Sequence, residues 1–185
     1  VRPETRCTLD LRNYKKLLKI DDEHLTATFE SGIFGPELEK ILNNKGYTLG
    51  HFPQSFEYST LGGWIVTRGA GQESTYYGKM EDLVEHIKVA TPVGTLESNP
   101  FTHDASGINV LPFFIGSEGT LGVMTEITLR LYPQPEAISA ATCSFPSIDA
   151  AVRATIQIIQ MGVPIARCEF LDTNAIRAVN RHDKL

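Results

Sequence analysis

Two segments rich in glycine and hydroxyl side chains constrain the fold of this chain more than any other feature. The first, residues 53–71, has the sequence PQSFEYSTLGGWIVTRGAG, and YYG follows at residues 76–78. The second, residues 116–122, has the sequence GSEGTLG. Both are too irregular for a simple helix or strand. Glycine lets a backbone approach a large ligand, and hydroxyls offer that ligand hydrogen-bond donors.

The residues of each segment, taken alone, allow two interpretations. Either segment can be an ordinary glycine-rich turn that leads into a strand. Alternatively, N–H groups in such a turn make a concavity suited to phosphate. Arg68 could then neutralise the phosphate or hydrogen-bond a ring carbonyl, and Thr120 could donate to a phosphate or a ribose hydroxyl. Two such segments in one short chain favour a chain that wraps a nucleotide cofactor. Neither GxGxxG after a strand nor GxxxxGKS/T occurs, so Rossmann and P-loop sites are not supported.

The spacing of apolar residues predicts an α+β fold. Residues 123–131 give the clearest strand, with the odd-numbered positions on one face. An apolar stripe of Leu38, Ile41 and Leu42, with Gly46 after it, predicts a helix. The elements expected in this part of the chain are a strand at 25–30, a helix at 36–45, a hairpin at 83–98 that turns at 91–94, a helix or strand at 111–115, and a strand at 123–131.

The Pro133-Gln134-Pro135 sequence ends the last of these strands and predicts a domain boundary. The pattern beyond it predicts a strand at 138–145, a helix at 148–161, a strand at 166–171, and a helix that is capped by Asp172 or Thr173 and runs to Val179. We therefore expect one domain at 1–134 and the start of a second, α+β domain at 135–185. The chain starts at Val1 and stops within a helical pattern, so we also expect it to be a piece of a longer protein.

Charge and composition exclude some classes of function. The formal net charge of the 185-residue chain is −5 with mixed signs, so the basic surface that binds nucleic acid is not expected. No apolar run approaches the roughly 20 residues of a membrane span. Cys7, Cys143 and Cys168 form no CxxC pair, which predicts reduced thiols packed in the core of a cytoplasmic protein.

Residues 53–78, EDLV at 81–84 and GSEGTLGVMTE at 116–126 follow one another in this order. Within them, STLGGWI at 59–65 and GSEGTLG at 116–122 are specific in sequence, order and spacing. Together they resemble the FAD-binding domain of the vanillyl-alcohol oxidase/p-cresol methylhydroxylase (VAO/PCMH) flavoprotein superfamily. Within it, the likeness is to alkyldihydroxyacetonephosphate synthases and to FAD-linked oxidases similar to D-lactate dehydrogenase. The resemblance covers residues 25–180. It implies the second half of a VAO/PCMH-type FAD-binding domain, followed by the start of an α+β cap domain.

The resemblance implies that the chain binds FAD non-covalently, and it indicates which residues hold the cofactor. The segment matching 118–124 contacts FAD largely through its backbone. Ala70 stands where relatives often have Ser, so only its backbone can contribute. No metal ligand is implied. The implied cofactor-binding residues are Pro53, Gln54, Ser55, Glu57, Ser59, Thr60, Gly62, Gly63, Thr67, Arg68, Gly69, Ala70, Glu118, Gly119, Thr120, Gly122, Val123 and Met124.

The resemblance also implies an enzyme. The implied reaction is either hydride transfer to FAD from a 2-hydroxy acid such as D-lactate or glycolate, or an alkyl transfer of the synthase type. The fold cannot choose between them, and a non-catalytic flavin-binding module or a scaffold subunit is the alternative. The pyrophosphate loop and the catalytic residues are expected outside this chain, so we expect the segment alone to be inactive. The expected partners are FAD and a small-molecule substrate, and a homodimer is left open.

Several single residues have competing interpretations. His51 could anchor a flavin covalently, but a place in a turn or at the surface is expected. Trp64 could stack on the cofactor, but packing beneath the first segment is expected instead. A metal site at His103 and Asp104 has no further ligand to support it. Surface or helix-capping positions are expected for His86, Glu169 and Asp172.

Overall fold

A five-stranded antiparallel sheet forms the centre of the fold, in a computed structural model that describes residues 7–100 and 105–183. The strand order is β1-β2-β6-β4-β5, so β6 lies in the middle of the sheet. The strands are β1 (Leu17–Asp21), β2 (Thr26–Glu30), β4 (Val84–Thr91), β5 (Gly94–Glu97) and β6 (Val123–Arg130). A separate two-stranded sheet pairs β3 (Tyr47–Thr48) with β7 (Tyr132–Pro133).

The described residues also form short helices, some of which contribute buried side chains to the core beside the sheet. The helices before the proline-rich segment are α1 (Gly35–Asn43), α2 (Leu61–Val66), α3 (Ser74–Tyr77), α4 (Met80–Leu83) and α5 (Leu111–Phe114). Those after it are α6 (Ile148–Gln160) and α7 (Thr173–Asp183). The strands at 25–30 and 123–131, the hairpin, and the helices at 36–45 and 148–161 are therefore confirmed. The apolar run at 111–115, which the sequence left open, is a helix.

The core lies between the sheet and helices α1 and α2. Phe29, Leu38, Leu61, Ile87 and Ile127 are all completely buried there. Each such side chain stabilises the fold by about 1.5–3 kcal/mol relative to its exposed state. The core therefore ties the strands to the α2 segment, which belongs to the first of the two glycine-rich stretches.

A β-bulge changes the alternation that the sequence predicts for β6. The pairing with β4 shifts from Lys88 opposite Glu126 to Val89 opposite Met124, which leaves Thr125 without a directly opposite residue. As a result, Met124 is buried and Val123 is only half-buried. The expectation that every odd-numbered position shares the core face is wrong at the start of the strand, because an extra residue reverses the faces.

The strands predicted at 138–145 and 166–171 are absent, and both segments lack regular secondary structure. A strand exists only where a neighbour shares its backbone hydrogen bonds, and no described residue pairs with either segment. Helix capping in this region is confirmed. Ser147 Oγ accepts the Ala150 N–H at 3.2 Å, and Asp172 Oδ1 accepts the Ala175 N–H at 2.6 Å. The division of the chain at residue 134 stays a prediction.

The predicted burial of the cysteines is wrong. Cys7, Cys143 and Cys168 are all exposed. Cys143 and Cys168 lie in the two segments that form no strand, so no sheet is present to cover them. None of the described helices is both long enough and apolar enough to cross a lipid bilayer.

Candidate cofactor site

The fold brings the two glycine-rich segments together. The Gly116 N–H donates to the carbonyl of Ile65 at 3.0 Å, and the Glu118 N–H donates to the carbonyl of Val66 at 2.9 Å. Arg68 adds a side-chain bond, from Nη2 to the carbonyl of Ile115 at 2.9 Å. Residues 53–71 and 116–122 therefore form one continuous surface next to the start of β6.

Each segment contains one non-glycine residue in the left-handed backbone region. Arg68 and Glu118 both have a φ of 53°. Such a conformation costs a non-glycine residue about 1–2 kcal/mol, and strained residues of this kind concentrate at ligand-binding and active sites. The backbone bonds between the segments hold both strained residues in place. Leu25, in the turn between β1 and β2, has a similar φ of 52°, so the strain alone does not mark a ligand site. What distinguishes Arg68 and Glu118 is that they lie in two segments joined by backbone hydrogen bonds.

The glycines of the two segments differ in what surrounds them. A Cβ added to Gly62 would lie 3.0 Å from Cβ of Ser31, so this glycine permits tight packing against the end of β2. A Cβ on Gly63 would meet only Oγ1 of Thr60, at 3.5 Å, and one on Gly119 would meet nothing within 4 Å. At Gly63 and Gly119 the backbone is therefore open to a ligand that approaches from outside.

Trp64 packs beneath the first segment, as expected. Its side chain is 3% exposed, stacks with Phe56 at a centroid distance of 6.2 Å, and donates from Nε1 to Ser59 Oγ at 2.6 Å. The Ser59 hydroxyl in turn donates to the carbonyl of Ser55 at 2.7 Å. Ser59, which the resemblance assigns to cofactor binding, thus helps to shape the loop.

The threonine hydroxyls of the site are also mostly engaged within the chain. Thr67 Oγ1 donates to the carbonyl of Gly63 at 2.9 Å, and Thr120 Oγ1 donates to the carbonyl of Ser117 at 2.6 Å. The half-buried Thr60 hydroxyl, by contrast, has no hydrogen bond within the described part of the chain. Among the threonines of the site, Thr60 has the hydroxyl that is available to a ligand.

Arg68 links three parts of the site. Besides its bond to the carbonyl of Ile115, its Nη1 forms an ion pair with Glu81 at 2.9 Å, and Lys79 contacts the same carboxylate. The hydrogen bond from Lys79 and the two nearby cations lower the pKa of Glu81. The arginine, predicted to neutralise phosphate or to bond a ring carbonyl, is therefore also the clamp that fixes the two segments relative to α4.

His51 is not at the surface, so the surface alternative of that expectation is wrong. The side chain is 0% exposed, and neither ring nitrogen has a hydrogen-bond partner among the described residues. Its ring meets Trp64 edge-on at 4.9 Å, and Nε2 lies 3.7 Å from the point that a Cβ on Gly69 would occupy. Burial lowers the pKa of His51 to about 4. The sequence signal was weak: a single histidine between Gly50 and Phe52.

The other assigned residues lie around this surface. Gln54, Glu57 and Ala70 are exposed, and the side chain of Met124 is in the core, so only its backbone can reach a ligand. Pro53, Gln54 and Glu57 also line a cleft of about 380 Å³, together with Phe52, Phe56, Tyr58, Gln72, Glu73 and Arg167.

The remaining single-residue predictions have mixed outcomes. His86 is half-buried instead of solvated, and burial lowers its pKa. His103 and Asp104 lie outside the described residues. Glu169 is exposed, as expected, and pairs with Arg167 at 3.4 Å. Within residues 7–100 and 105–183, no three side chains of His, Cys, Asp or Glu gather into a candidate metal site.

Comparisons with known proteins identify the family. Residues 3–98 match the family described as "FAD binding domain", and residues 134–185 match "FAD linked oxidases, C-terminal domain". Because the first match covers more than half of the chain, the chain belongs to the FAD binding domain family. FAD is therefore the cofactor of this family of flavoproteins, as the sequence predicted.

Individual relatives agree with that family. The chain is 42% identical over 151 residues to the alkyldihydroxyacetonephosphate synthase of Dictyostelium discoideum. The matched region covers 82% of this chain and 25% of that protein. It is 37% identical over 180 residues to the probable mitochondrial D-lactate dehydrogenase of Danio rerio. That match covers 95% of this chain and 36% of the dehydrogenase. The chain thus spans about a quarter to a third of the length of these relatives.

A solved structure supports the fold. An alkyldihydroxyacetonephosphate synthase structure matches with a TM-score of 0.74 and 40% sequence identity, over 83% of this chain and 28% of that one. The predicted α+β fold of the VAO/PCMH type is confirmed. The site fits a cofactor such as FAD in its own geometry: open backbone at Gly63 and Gly119, and an unpaired hydroxyl at Thr60.

Proposed function

We propose that residues 53–71 and 116–122 together form one wall of a FAD site. In this proposal the residues that the resemblance implies for cofactor binding contact the FAD. The observation that carries this proposal is the pair of strained residues, Arg68 and Glu118, one in each of two segments that are joined by backbone hydrogen bonds. Strained residues of this kind concentrate at ligand-binding sites, and here both lie in segments whose backbones are joined.

The groups that form this wall have two roles: some lie open for contact with FAD, and others hold the loops in shape. The backbone near Gly63 and Gly119 and the Thr60 hydroxyl lie open for contact with the cofactor. Ser59 and Thr120 hold the loops in shape, and Arg68 clamps one segment to the other. Bound FAD supplies the capacity to accept and return electron pairs, whereas the chain supplies binding and orientation.

For the whole protein we propose a FAD-dependent enzyme of the alkyldihydroxyacetonephosphate synthase type. The identity of 42% to the Dictyostelium synthase and the TM-score of 0.74 to a solved synthase support this assignment. Oxidation of D-lactate or a similar 2-hydroxy acid is the second candidate, supported by 37% identity over 180 residues to the D-lactate dehydrogenase. A homodimer, which the sequence leaves open, is not tested, and the predicted cytoplasmic location stays a prediction.

Two assays on the full-length, FAD-loaded protein separate these activities. The synthase assignment predicts that acyl-dihydroxyacetone phosphate and a fatty alcohol yield the alkyl product, and that D-lactate leaves the visible flavin absorption band unchanged under anaerobic conditions. The second candidate predicts that D-lactate bleaches this band and that no alkyl product forms. Failure of both reactions in protein that holds FAD would contradict both activities and favour the non-catalytic module.

A further inference from the structure

A buried carboxylate lies behind the first segment, and the proposed function does not use it. Glu39 is 6% exposed and faces the core from α1, together with Leu38 and Leu42. A buried carboxylate is costly unless hydrogen bonds satisfy it. All the hydrogen-bond partners of Glu39 in the described part of the chain are uncharged, so no cation offsets its charge directly.

The hydrogen bonds of Glu39 converge on one turn. Its Oε1 accepts the Leu49 N–H at 2.8 Å, and its Oε2 accepts the Thr48 hydroxyl at 3.0 Å. The Thr48 hydroxyl in turn accepts the Gly50 N–H at 3.1 Å. One carboxylate thus satisfies donors from three consecutive residues, directly or through one hydroxyl. Asn43 adds a long contact from the same helix, at 3.4 Å.

This turn sets the direction in which the chain enters the cofactor wall. Gly50 has a φ of +70°, and a Cβ there would lie 2.2 Å from the ring of Tyr77, so the turn has little freedom to move. The next residue, His51, is completely buried against Trp64. The carbonyl of Phe52 then accepts the Gln72 N–H at 2.9 Å, immediately before residues 53–60.

We propose that Glu39 is a positioning residue for FAD: its carboxylate fixes the turn at residues 48–50 and thereby places residues 53–60 against the cofactor. This inference rests on the proposed FAD site. Glu39 does not touch the cofactor wall itself and acts through Thr48, Leu49 and Gly50. We therefore expect the loss of its hydrogen bonds to weaken the binding of FAD.

The surroundings of Glu39 are consistent with a group held in place at an energetic cost. Burial raises the pKa of Glu39, and the hydrogen bonds from Leu49, Thr48 and Gly50 oppose that shift. Glu73 is the charged group that adds to the rise, and the charge of Glu39 in turn contributes to raising the pKa of Tyr77, after burial and Glu73. The geometry of the turn carries the proposal, and the pKa direction agrees with it.

The test compares two glutamate-to-glutamine variants of α1 in the full-length protein. Glu39→Gln keeps one acceptor oxygen for the Leu49 N–H but turns the other into an amide donor, so the Thr48 hydroxyl can no longer donate to it. We expect the Kd for FAD to rise about tenfold, as for a lost hydrogen bond to a charged group. Glu37→Gln is the matched control, because Glu37 is half-exposed and pairs only with Lys15 at 3.2 Å among the described residues. We expect the Kd of this control variant for FAD to stay within about twofold of the parent's Kd.

The readouts separate positioning from simple stability. FAD affinity is measured by flavin fluorescence, the melting temperature is measured on the cofactor-free protein, and the visible circular dichroism of bound flavin reports how the protein holds the ring. Changed affinity and changed dichroism in Glu39→Gln, with both unchanged in Glu37→Gln, support the proposal. A lower melting temperature with unchanged Kd and dichroism would overturn it.

A second variant protects the test against a folding failure. Thr48→Val removes the hydroxyl that relays Glu39 to Gly50, and it is expected to weaken FAD binding severalfold, in proportion to one hydrogen bond. The double variant is expected to bind no worse than Glu39→Gln alone, because both changes break one network. Full additivity would contradict that network.

If the parent protein binds no FAD, the proposed site itself is wrong and this inference fails with it. Normal binding by parent and variants alike overturns only the role of Glu39.

Discussion

The two glycine-rich segments share a composition but differ in what lies behind them. Residues 53–71 reach into the core: Leu61 and Ile65 are completely buried, as is His51 just before the segment. Residues 116–122 are mostly exposed, and backbone hydrogen bonds to Ile65 and Val66 hold them against the first segment. The difference teaches that similar composition serves two purposes. The first segment is part of the folded core, whereas the second takes its position from the first.

The largest effect expected from this contrast is a pH dependence of stability caused by His51. Because burial lowers its pKa from 6.5 to about 4, the folded state favours the neutral ring, while the unfolded chain takes up a proton below pH 6.5. Stability from this group is therefore present above pH 6.5 and is lost as the pH falls towards 4. The loss reaches about 3 kcal/mol. Denaturant unfolding at a series of pH values measures it.

The matched variant for that prediction is His51→Phe, which keeps a planar ring and cannot titrate. Between pH 6.5 and pH 4, we expect the variant to lose about 3 kcal/mol less of its free energy of unfolding than the parent loses. Other acidic groups, including Glu39 and Glu81, titrate in both proteins and cancel in the difference. Identical pH profiles for the two proteins would show that His51 is not buried in its neutral form.

The next effect is steric and belongs to the first segment. A Cβ on Gly71 would lie 2.6 Å from the backbone nitrogen of Phe52, and a backbone atom cannot move away cheaply. We expect Gly71→Ala to lower the free energy of unfolding by about 2 kcal/mol through overpacking. Urea denaturation of parent and variant provides the measurement. No loss of stability would mean that the two sides of this loop are less tightly packed than the structure shows.

A smaller effect distinguishes the hydroxyls of the site by their partners. Thr60→Val removes a hydroxyl that is unpaired within the described residues, and it is expected to raise the Kd for FAD by up to about tenfold. Thr120→Val removes a hydroxyl that already bonds the carbonyl of Ser117, so FAD affinity is expected to change little. Fluorescence titration of both variants tests the assignment. The reverse ranking would place the cofactor closer to the second segment than to α2.

The smallest effect is the cost of a side chain on the second segment. Gly119 has a φ of +74°, and a Cβ added there would have no neighbour within 4 Å, so Gly119→Ala meets backbone strain but no clash. The expected loss is about 1 kcal/mol, less than for Gly71→Ala. The thermal unfolding midpoints of the two alanine variants give the comparison directly. A larger loss for Gly119→Ala would remove the distinction between the segments.

The sequence predicted those parts of the fold that depend on local patterns. The stripe through Leu38 and Leu42 and the alternation in 123–131 each reflect burial on one face, so helix α1 and strand β6 were predicted correctly. The bulge at Thr125 was not, because its cause is the pairing with β4 and not any local signal. The strands predicted at 138–145 and 166–171 failed for a related reason: a strand needs a hydrogen-bonded neighbour.

The site shows the same division between local and long-range information. The residue sequences of the two segments and their order along the chain were enough to indicate FAD and to identify both segments. The burial of His51 and the bonds from Glu39 to residues 48–50 depend on contacts that spacing alone does not reveal. Glu39 did carry one signal, since Gly35, Leu38, Glu39 and Leu42 follow the spacing of a single buried helix face. An acidic residue in such a stripe indicates a satisfied buried carboxylate.

The most direct test of the FAD wall is a titration of cofactor-free, full-length Gly63→Leu with FAD. A Cβ at Gly63 meets only Oγ1 of Thr60 within 4 Å, at 3.5 Å, and leucine is a good helix former, so we expect the variant to fold, and its melting temperature is measured first as the control. If FAD lies against this backbone, the leucine side chain occupies its place, and affinity falls at least about tenfold while the melting temperature is retained. Parent-like affinity in a folded Gly63→Leu variant would contradict the account.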